Sequence, residues 1–377
     1  MRHSLVFALL ALAGTAAGAA AQGTLSTQGF GYPPGQISTR AATLGGGLGE
    51  TDPLSPINPA ALADWARSGL YVQYSPEYRS VETPTGGADH TMTVRFPVIM
   101  GAVSVGRRAV IGLSTSTLLD RTWETHRTGH TPAGADSIEF NENFTSSGAI
   151  NDIRLGVAYG ITSSLWLGVG GHVFSGDDRL KVQRFSSDTT FTPFLEQSMV
   201  SYSGTGLSGG LVWQASEWIL LGASGRIGGD IKTFRNDTSL TRASVPSRWG
   251  VGATFTGVSG LLVTARADWQ GWSSLGDLGQ PGLGVTDTWD MGGGIEFRGP
   301  SFFGAALPLR AGYRHRTLPF TAGDTKITEN SFSFGAGIPV AAGRSRIDLG
   351  VERANRGSVS GVSEKAWVFS AGFMVRP

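Results

Sequence analysis

From about Gly69 to the C-terminus, apolar residues return at every second position, run after run. Trp249, Val251, Ala253 and Phe255 alternate with Gly250, Gly252 and Thr254, and Leu261, Val263, Ala265, Ala267 and Trp269 enclose Thr264, Arg266 and Asp268. Successive side chains on a strand point to opposite faces, so each run has one oily face and one wet face. Two architectures satisfy that pattern. A soluble sandwich hides its oily faces against each other. A closed barrel in a bilayer turns them outward and keeps its polar faces inside.

The start of the chain reads as an export signal. Arg2 and His3 precede an apolar core from Leu5 to Ala13, and Ala19-Ala20-Ala21 offers small residues for cleavage after Ala21. No later apolar run reaches the roughly 18 residues of a membrane helix. The chain has no cysteine, which excludes disulfides, thiolate metal sites, a cysteine nucleophile and a lipidated cysteine. Charged residues make up 16%, against roughly 25% in a typical soluble domain, and the 56 glycines show no collagen period. A net charge of +1 without basic clusters gives no footprint for nucleic acid.

The chain divides into three parts: a signal peptide (1–21), a turn-rich segment (22–68) and an alternating region (69–377). The turn-rich segment carries Pro33-Pro34, Gly45-Gly46-Gly47, Gly49, Pro53, Pro56 and Pro59. The alternating region predicts about fourteen strands, an even number as single-chain barrels have. Their starts fall near Leu70, Thr91, Ala109, Ile150, Leu165, Met199, Glu217, Arg248, Leu261, Asp287, Leu307, Thr328, Ser345 and Glu364. Short connections at 106–108, 162–164, 214–217, 257–260 and 341–344 alternate with long polar stretches. The longest of these, 121–149, 176–198, 229–247 and 271–287, are expected to be loops. Short turns and both termini would share one rim, and the long connections the other.

With the apolar face toward lipid, the inward set contains Arg154, Arg226, Arg248, Arg266, Asp268, Arg310, Arg314, Asp348 and Glu352. Two roles are open to them: charges paired across strands and with a plug, or one or two arginines meeting a ligand carboxylate in bidentate fashion.

The segment STRAATLGGGLGETDPLSPINPAALADWA (38–66) has a helix start, with Asn58 as N-cap and Pro59 at the first helical position. Leu44, Leu54, Ile57, Leu62 and Trp65 give it apolar surface to pack, which favours a lumen plug over a loose tail. Gly45-Gly46-Gly47, Asp52 and Asn58-Pro59-Ala60 match in order and spacing the hatch of FadL-type outer-membrane transporters of fatty acids and aromatic hydrocarbons, which this chain resembles. ADWQGWSS (267–274), LRAGYRHRTLPF (309–320) and VPSRWGVGATF (245–255) are similar to strand segments of the same family. The resemblance implies an N-terminal hatch built on Gly45, Gly46, Gly47, Asp52, Asn58 and Pro59. It also implies passive uptake of a hydrophobic molecule through a pocket beside the hatch, with sideways exit into the bilayer. Phe30, Tyr32 and Trp65, with Arg266 and Arg310 from the inward set, are the candidate ligand pocket; Phe191, Phe194, Trp269 and Trp272 are further aromatic candidates near loops.

Arg40-Ala41-Ala42 before the glycines is also similar to PorV-like barrels that serve protein secretion. A barrel that binds and hands over secreted proteins is therefore the alternative, and a soluble secreted sandwich is a third reading. Gly206-Leu207-Ser208-Gly209-Gly210 fits G-x-S-x-G, but inside an alternating strand rather than a strand-to-helix turn. His172 and His315 look isolated, and His126 with His130 lacks a helical metal-binding pattern. The expectation is an all-β transmembrane antiparallel barrel with a hatch, monomeric in outer-membrane lipid, without enzymatic activity, cofactor or metal.

Overall fold

The computed structural model describes residues 25, 27–65, 68–82, 88–133, 136–186, 192–235, 238–278, 284–302, 305–340, 344–359 and 361–376. The signal segment 1–21, residues 22–24, 26, 66 and 67 of the turn-rich segment, and Phe191 lie outside the described residues.

The wall begins with β1 (Gly69–Glu82), β2 (Ala88–Arg95), β3 (Val98–Val105), β4 (Ala109–Asp120), β5 (Trp123–Ala133) and β6 (Asp136–Gly160). It continues through β7 (Leu165–Ser186), β8 (Phe194–Ser216), β9 (Ile219–Arg235), β10 (Thr238–Ser244), β11 (Arg248–Val258) and β12 (Leu261–Gln270). β13 (Thr288–Phe302), β14 (Ala305–Ala322), β15 (Thr325–Val340), β16 (Ser345–Val359) and β17 (Val362–Val375) complete it. Three pairs of segments are single strands with a break: β2 with β3 across Phe96-Pro97, β4 with β5 across Arg121-Thr122, and β10 with β11 across Val245-Pro246-Ser247. Pro97 and Pro246 cannot donate to a ladder, which accounts for two of the breaks. The result is a closed antiparallel barrel of fourteen strands. Closure runs from Leu70↔Val375 to Glu82↔Ser363, so both ends of the barrel sequence lie at the rim of the short turns.

Outward positions are apolar. Trp249 (56%), Val251 (60%), Phe255 (39%) and Val263 (39%) are exposed. Their neighbours Arg248, Thr254, Thr264, Arg266 and Asp268 are buried inside. On β17, Trp367, Phe369, Phe373 and Val375 face out, opposite buried Glu364 and Met374. Trp249, Trp269 and Trp289 lie side by side on adjacent strands, the arrangement of an interfacial aromatic girdle. Val251→Arg places a charge in this belt and should destabilise the barrel by about 2–4 kcal/mol. Urea unfolding in lipid vesicles would measure it, and a loss below about 0.5 kcal/mol would remove Val251 from the hydrocarbon zone.

The polar stretches expected as loops are mostly strand. β5 pairs with β6 from Trp123↔Ser146 to Ala133↔Asp136, β7 runs to Ser186, β8 starts at Phe194, and β9 pairs with β10. Beyond the apolar belt both faces of a strand meet water. Alternation therefore disappears while the backbone ladder continues. In 271–287, a 3-10 helix (Trp272–Leu278) turns Trp272 and Leu275 into the interior.

One seam interrupts the wall. β3 pairs with β4 up to Val98↔Ser116, and Thr117 N donates to Pro97 O at 3.2 Å. Beyond that point, among the described residues, β2 pairs with β1 alone and β5 with β6 alone. Met92, Val94 and Phe96 on the β2 side are exposed apolar residues.

Candidate functional site

The N-terminal segment lies inside the barrel. Ser38 caps a one-turn helix (Thr39–Ala42), which the sequence reading did not single out, through a hydrogen bond from Ala41 N to its hydroxyl. The turns after it press on the wall. Gly45 and Gly46 have φ of +62° and +80°, a backbone region that glycine enters without strain. A Cβ on Gly45 would stand 2.7 Å from Gly293 O, and one on Gly47 would stand 2.9 Å from Thr264 O. The wall answers with glycines of its own, since a Cβ on Gly294 or Gly312 would come within 2.7 or 2.8 Å of Leu44 Cα.

Asp52 accepts from the Ser38 hydroxyl at 2.5 Å and the Ser55 hydroxyl at 2.6 Å, tying two turns together. Asn58 accepts from Ala60 N at 2.9 Å, as an N-cap does. Its amide donates to Glu50 O at 2.8 Å and to Leu211 O of β8 at 3.1 Å. Pro59 opens a 3-10 helix (Pro59–Asp64) laid over Gly168 of β7. The six expected hatch residues thus share one buried layer, and their hydrogen bonds and close approaches are internal or to the wall.

Charge pairing follows that layer. Glu50 pairs with Arg248, and Arg248 lies 3.4 Å from Asp268. Arg266 contacts Asp268 at 3.1 Å and Asp290 at 2.9 Å, and Arg314 Nε donates to Asp290 at 2.7 Å. Arg310 contacts Glu296 at 2.6 Å and Asp348 at 2.7 Å, and Arg40 of the one-turn helix joins Glu296 at 2.8 Å. Arg266 and Arg310 therefore meet wall carboxylates. Low exposure strengthens such pairs, and breaking one partner away is what costs energy.

Toward the long-hairpin rim the lumen turns apolar. Phe30 is fully buried among Leu118, Leu119, Ile150, Phe174, Trp272 and Phe320, with edge-on contacts to Trp272 and Phe320 at 6.4 Å each. Tyr32 closes the cluster from below. Its backbone pairs with Asp120 at the corner of the seam, N to O 2.7 Å and back 2.8 Å. The guanidiniums of Arg79, Arg95, Arg316 and Arg356 lie 5.3, 5.1, 4.9 and 4.5 Å from its ring centroid. Its hydroxyl donates to Glu329 at 3.0 Å and accepts from Arg316. Burial pushes the phenol up to about 12, so the hydroxyl keeps its proton.

Phe30 and Tyr32 are thus brought together, whereas Trp65 packs at the short-turn end with Leu54, Leu62, Tyr71 and Met100. Trp272 joins Phe30; Phe194 is exposed and Trp269 lies in the outer girdle. A cavity of about 60 Å³ beside the segment is lined by Tyr32, Gln73, Glu77, Arg95, Arg314 and Glu352, among others. Ile37, Val351 and Val368 supply apolar lining beside these polar groups.

His172 is not isolated. Its Nδ1 lies 2.7 Å from Asp152 Oδ1 and its Nε2 2.8 Å from Ser208 Oγ. Sequence spacing could not show this, because the three residues sit on three different strands, β6, β7 and β8, and meet only through strand register. The available signals were their common lumen phase and the G-x-S-x-G match around Ser208.

A family model described as BamG matches residues 226–374. A comparison with curated protein sequences finds no match. Among solved structures, a FadL homologue of Pseudomonas aeruginosa superposes with a TM-score of 0.62 at 13% identity, over 92% of this chain and 99% of that one. The toluene transporter TodX of Pseudomonas putida gives 0.57 at 15% identity, covering 92% and 99%. The toluene transporter TbuX of Ralstonia pickettii gives 0.56 at 14% identity, covering 90% and 98%. At such identities the likeness speaks for the fold, and it extends over almost the whole of each partner. With its closed fourteen-stranded wall and a lumen occupied by its own N-terminal segment, the chain has the fold of the FadL-type outer-membrane channels.

Proposed function

We propose that this barrel sits in a Gram-negative-type outer membrane, exported by a signal within 1–21, and passes small hydrophobic compounds. The long-hairpin rim faces outside the cell in this reading, and 22–68 acts as the hatch. The observation that carries it is the apolar cluster in the long-hairpin half of the lumen, stoppered by Phe30 and bordered by the β2–β5 seam. A greasy solute entering there gains about 0.8 kcal/mol per buried CH₂. Sideways exit through the seam spares it any passage through water. Tyr32, paired with the edge of β4 at Asp120, is placed to hold the seam shut while the cluster is empty. The solved structures of similar fold that are described as toluene and monoaromatic hydrocarbon channels support the substrate class.

Uptake of radiolabelled toluene and of a long-chain fatty acid, in cells lacking other hydrocarbon channels, tests the reading. The full chain should raise uptake above the empty strain. Phe30→Arg, which puts a charge in the apolar stopper, should cut uptake about tenfold or more, a barrier of roughly 1.4 kcal/mol per decade. Uptake equal to the empty strain, from a barrel shown to be folded by its unheated gel mobility, would end the transport reading. Copurification with secreted proteins would then favour the hand-over alternative.

A further inference from the structure

β6, β7 and β8 place Asp152, His172 and Ser208 in one line on the lumen face, all of them buried. Asp152 Oδ1, His172 Nδ1, His172 Nε2 and Ser208 Oγ are linked in sequence by contacts of 2.7 and 2.8 Å. An ionised carboxylate only accepts hydrogen bonds, so with a neutral ring Nδ1 carries the proton. Nε2 then offers its lone pair to the Ser208 hydroxyl. This is the arrangement of nucleophile, base and orienting acid that serine hydrolases share, and it is recognised by geometry rather than by position in a sequence.

The surroundings extend the likeness. The second carboxylate oxygen, Asp152 Oδ2, accepts from Gln36 at 2.9 Å and Arg226 at 3.2 Å, which fixes its orientation. The His172 ring stacks on Phe174 with 5.8 Å between centroids and 6° between planes. Arg154 lies directly opposite His172 in register. It is 1% exposed, and its Nε and Nη1 have no hydrogen-bond partner among the described residues. Ser208 and Arg154 both pack over Gly170, where a Cβ would lie 2.7 Å from Ser208 Oγ and 3.2 Å from Arg154 Cδ. A fully buried guanidinium with spare donors beside an activated hydroxyl is costly unless something negative is meant to arrive there.

We propose that Ser208, His172 and Asp152 form a hydrolytic site for esters of apolar acids, with Arg154 receiving the developing oxyanion. Ser208 Oγ bonds to the ester carbonyl carbon as its proton passes to His172 Nε2. The carbon–oxygen bond to the alcohol then breaks, and His172 returns the proton to the leaving oxygen. Water repeats the sequence on the acyl-serine and releases the free acid, with no oxidant or cofactor. The acyl chain would run along Phe174 into the cluster that Phe30 fills, while Gln36 covers the site from the N-terminal segment.

The full chain in detergent, treated with an alkyl fluorophosphonate, should carry the adduct on the peptide containing Ser208. Ser208→Ala should remove that adduct, and His172→Gln should slow labelling about 100-fold or more. Hydrolysis of p-nitrophenyl esters should favour longer acyl chains. Arg154→Met should lower kcat about 100-fold with KM little changed, which a merely structural arginine would not do. Absence of a Ser208 adduct, both in the unmodified chain and in Gln36→Ala where the cover is loosened, overturns the proposal, provided both run as folded barrels when unheated. Ester hydrolysis that survives in folded Ser208→Ala overturns it as well. Neither readout depends on transport.

Discussion

Replacing Arg356 with methionine is expected to destabilise the folded barrel by about 3–5 kcal/mol, the range for removing one partner from a buried ion-pair network. Arg356 is fully buried and contacts Glu77 at 2.7 Å, Glu329 at 2.6 Å and Glu364 at 2.5 Å. It also stands closest of the four guanidiniums around Tyr32. Those four, Arg79, Arg95, Arg316 and Arg356, face the carboxylates Glu77, Asp120, Glu329 and Glu364, so the cage is neutral by count. Removing one cation leaves a net negative charge where water has little access. Urea unfolding in vesicles, followed by tryptophan fluorescence, would measure the loss. Pairing the change with Glu364→Gln should recover much of it, because the network regains neutrality. Arg242→Met is the reference: its pair with Asp230 spans 3.3 Å at the surface and should contribute no more than about 1 kcal/mol. A loss from Arg356→Met as small as this would mean that the cage is hydrated.

A second large effect is expected at the contact between the Leu44–Gly45 turn of the N-terminal segment and the wall. Gly312→Val puts branched carbons where Leu44 and Gly45 pass, with even the first of them within 2.8 Å of Leu44 Cα. Interiors are packed too closely to absorb this locally, so the turn must leave the wall. The strands keep their pairing, and the barrel should still migrate as folded. Protease cleavage within residues 25–65 should become fast, and the ion-pair anchors of Glu50 and Arg40 should be lost with the turn. Gly171→Val serves as control, since a Cβ there meets nothing within 4 Å. If the Gly312→Val segment stays as protected as in the control, the wall glycines are not what admits it.

Much of the architecture was legible in the residues. The count of fourteen strands, most of their starts, the shared rim of the two ends and the inward arginines followed from a period of two; the starts expected near Ile150 and Arg248 fall late, because those strands begin at Asp136 and Thr238 in the polar stretches. That period is strict because lipid on one side and water on the other penalise every misplaced side chain. Where both faces meet water the penalty vanishes, which is why Thr125 to Phe144 and the neighbouring polar stretches read as loops yet are long hairpins. The turns of the N-terminal segment were legible for a different reason. Asn58 followed by Pro59 is a local capping signal, and the run Gly45 to Gly47 marks a backbone that must approach another closely. Tyr32 was visible only as an aromatic residue; nothing along the chain announced four arginines from β1, β2, β14 and β16 around it.

Alternation along the chain decided which solvent each side chain would meet, since it depends only on the pleat of the strand. Partners were decided by the closed wall. Which carboxylate faces Arg266, or that Ser208, His172 and Asp152 fall into line, depends on the register of neighbouring strands and on the segment threaded among them. Those relations join residues far apart in the chain, and no local pattern encodes them.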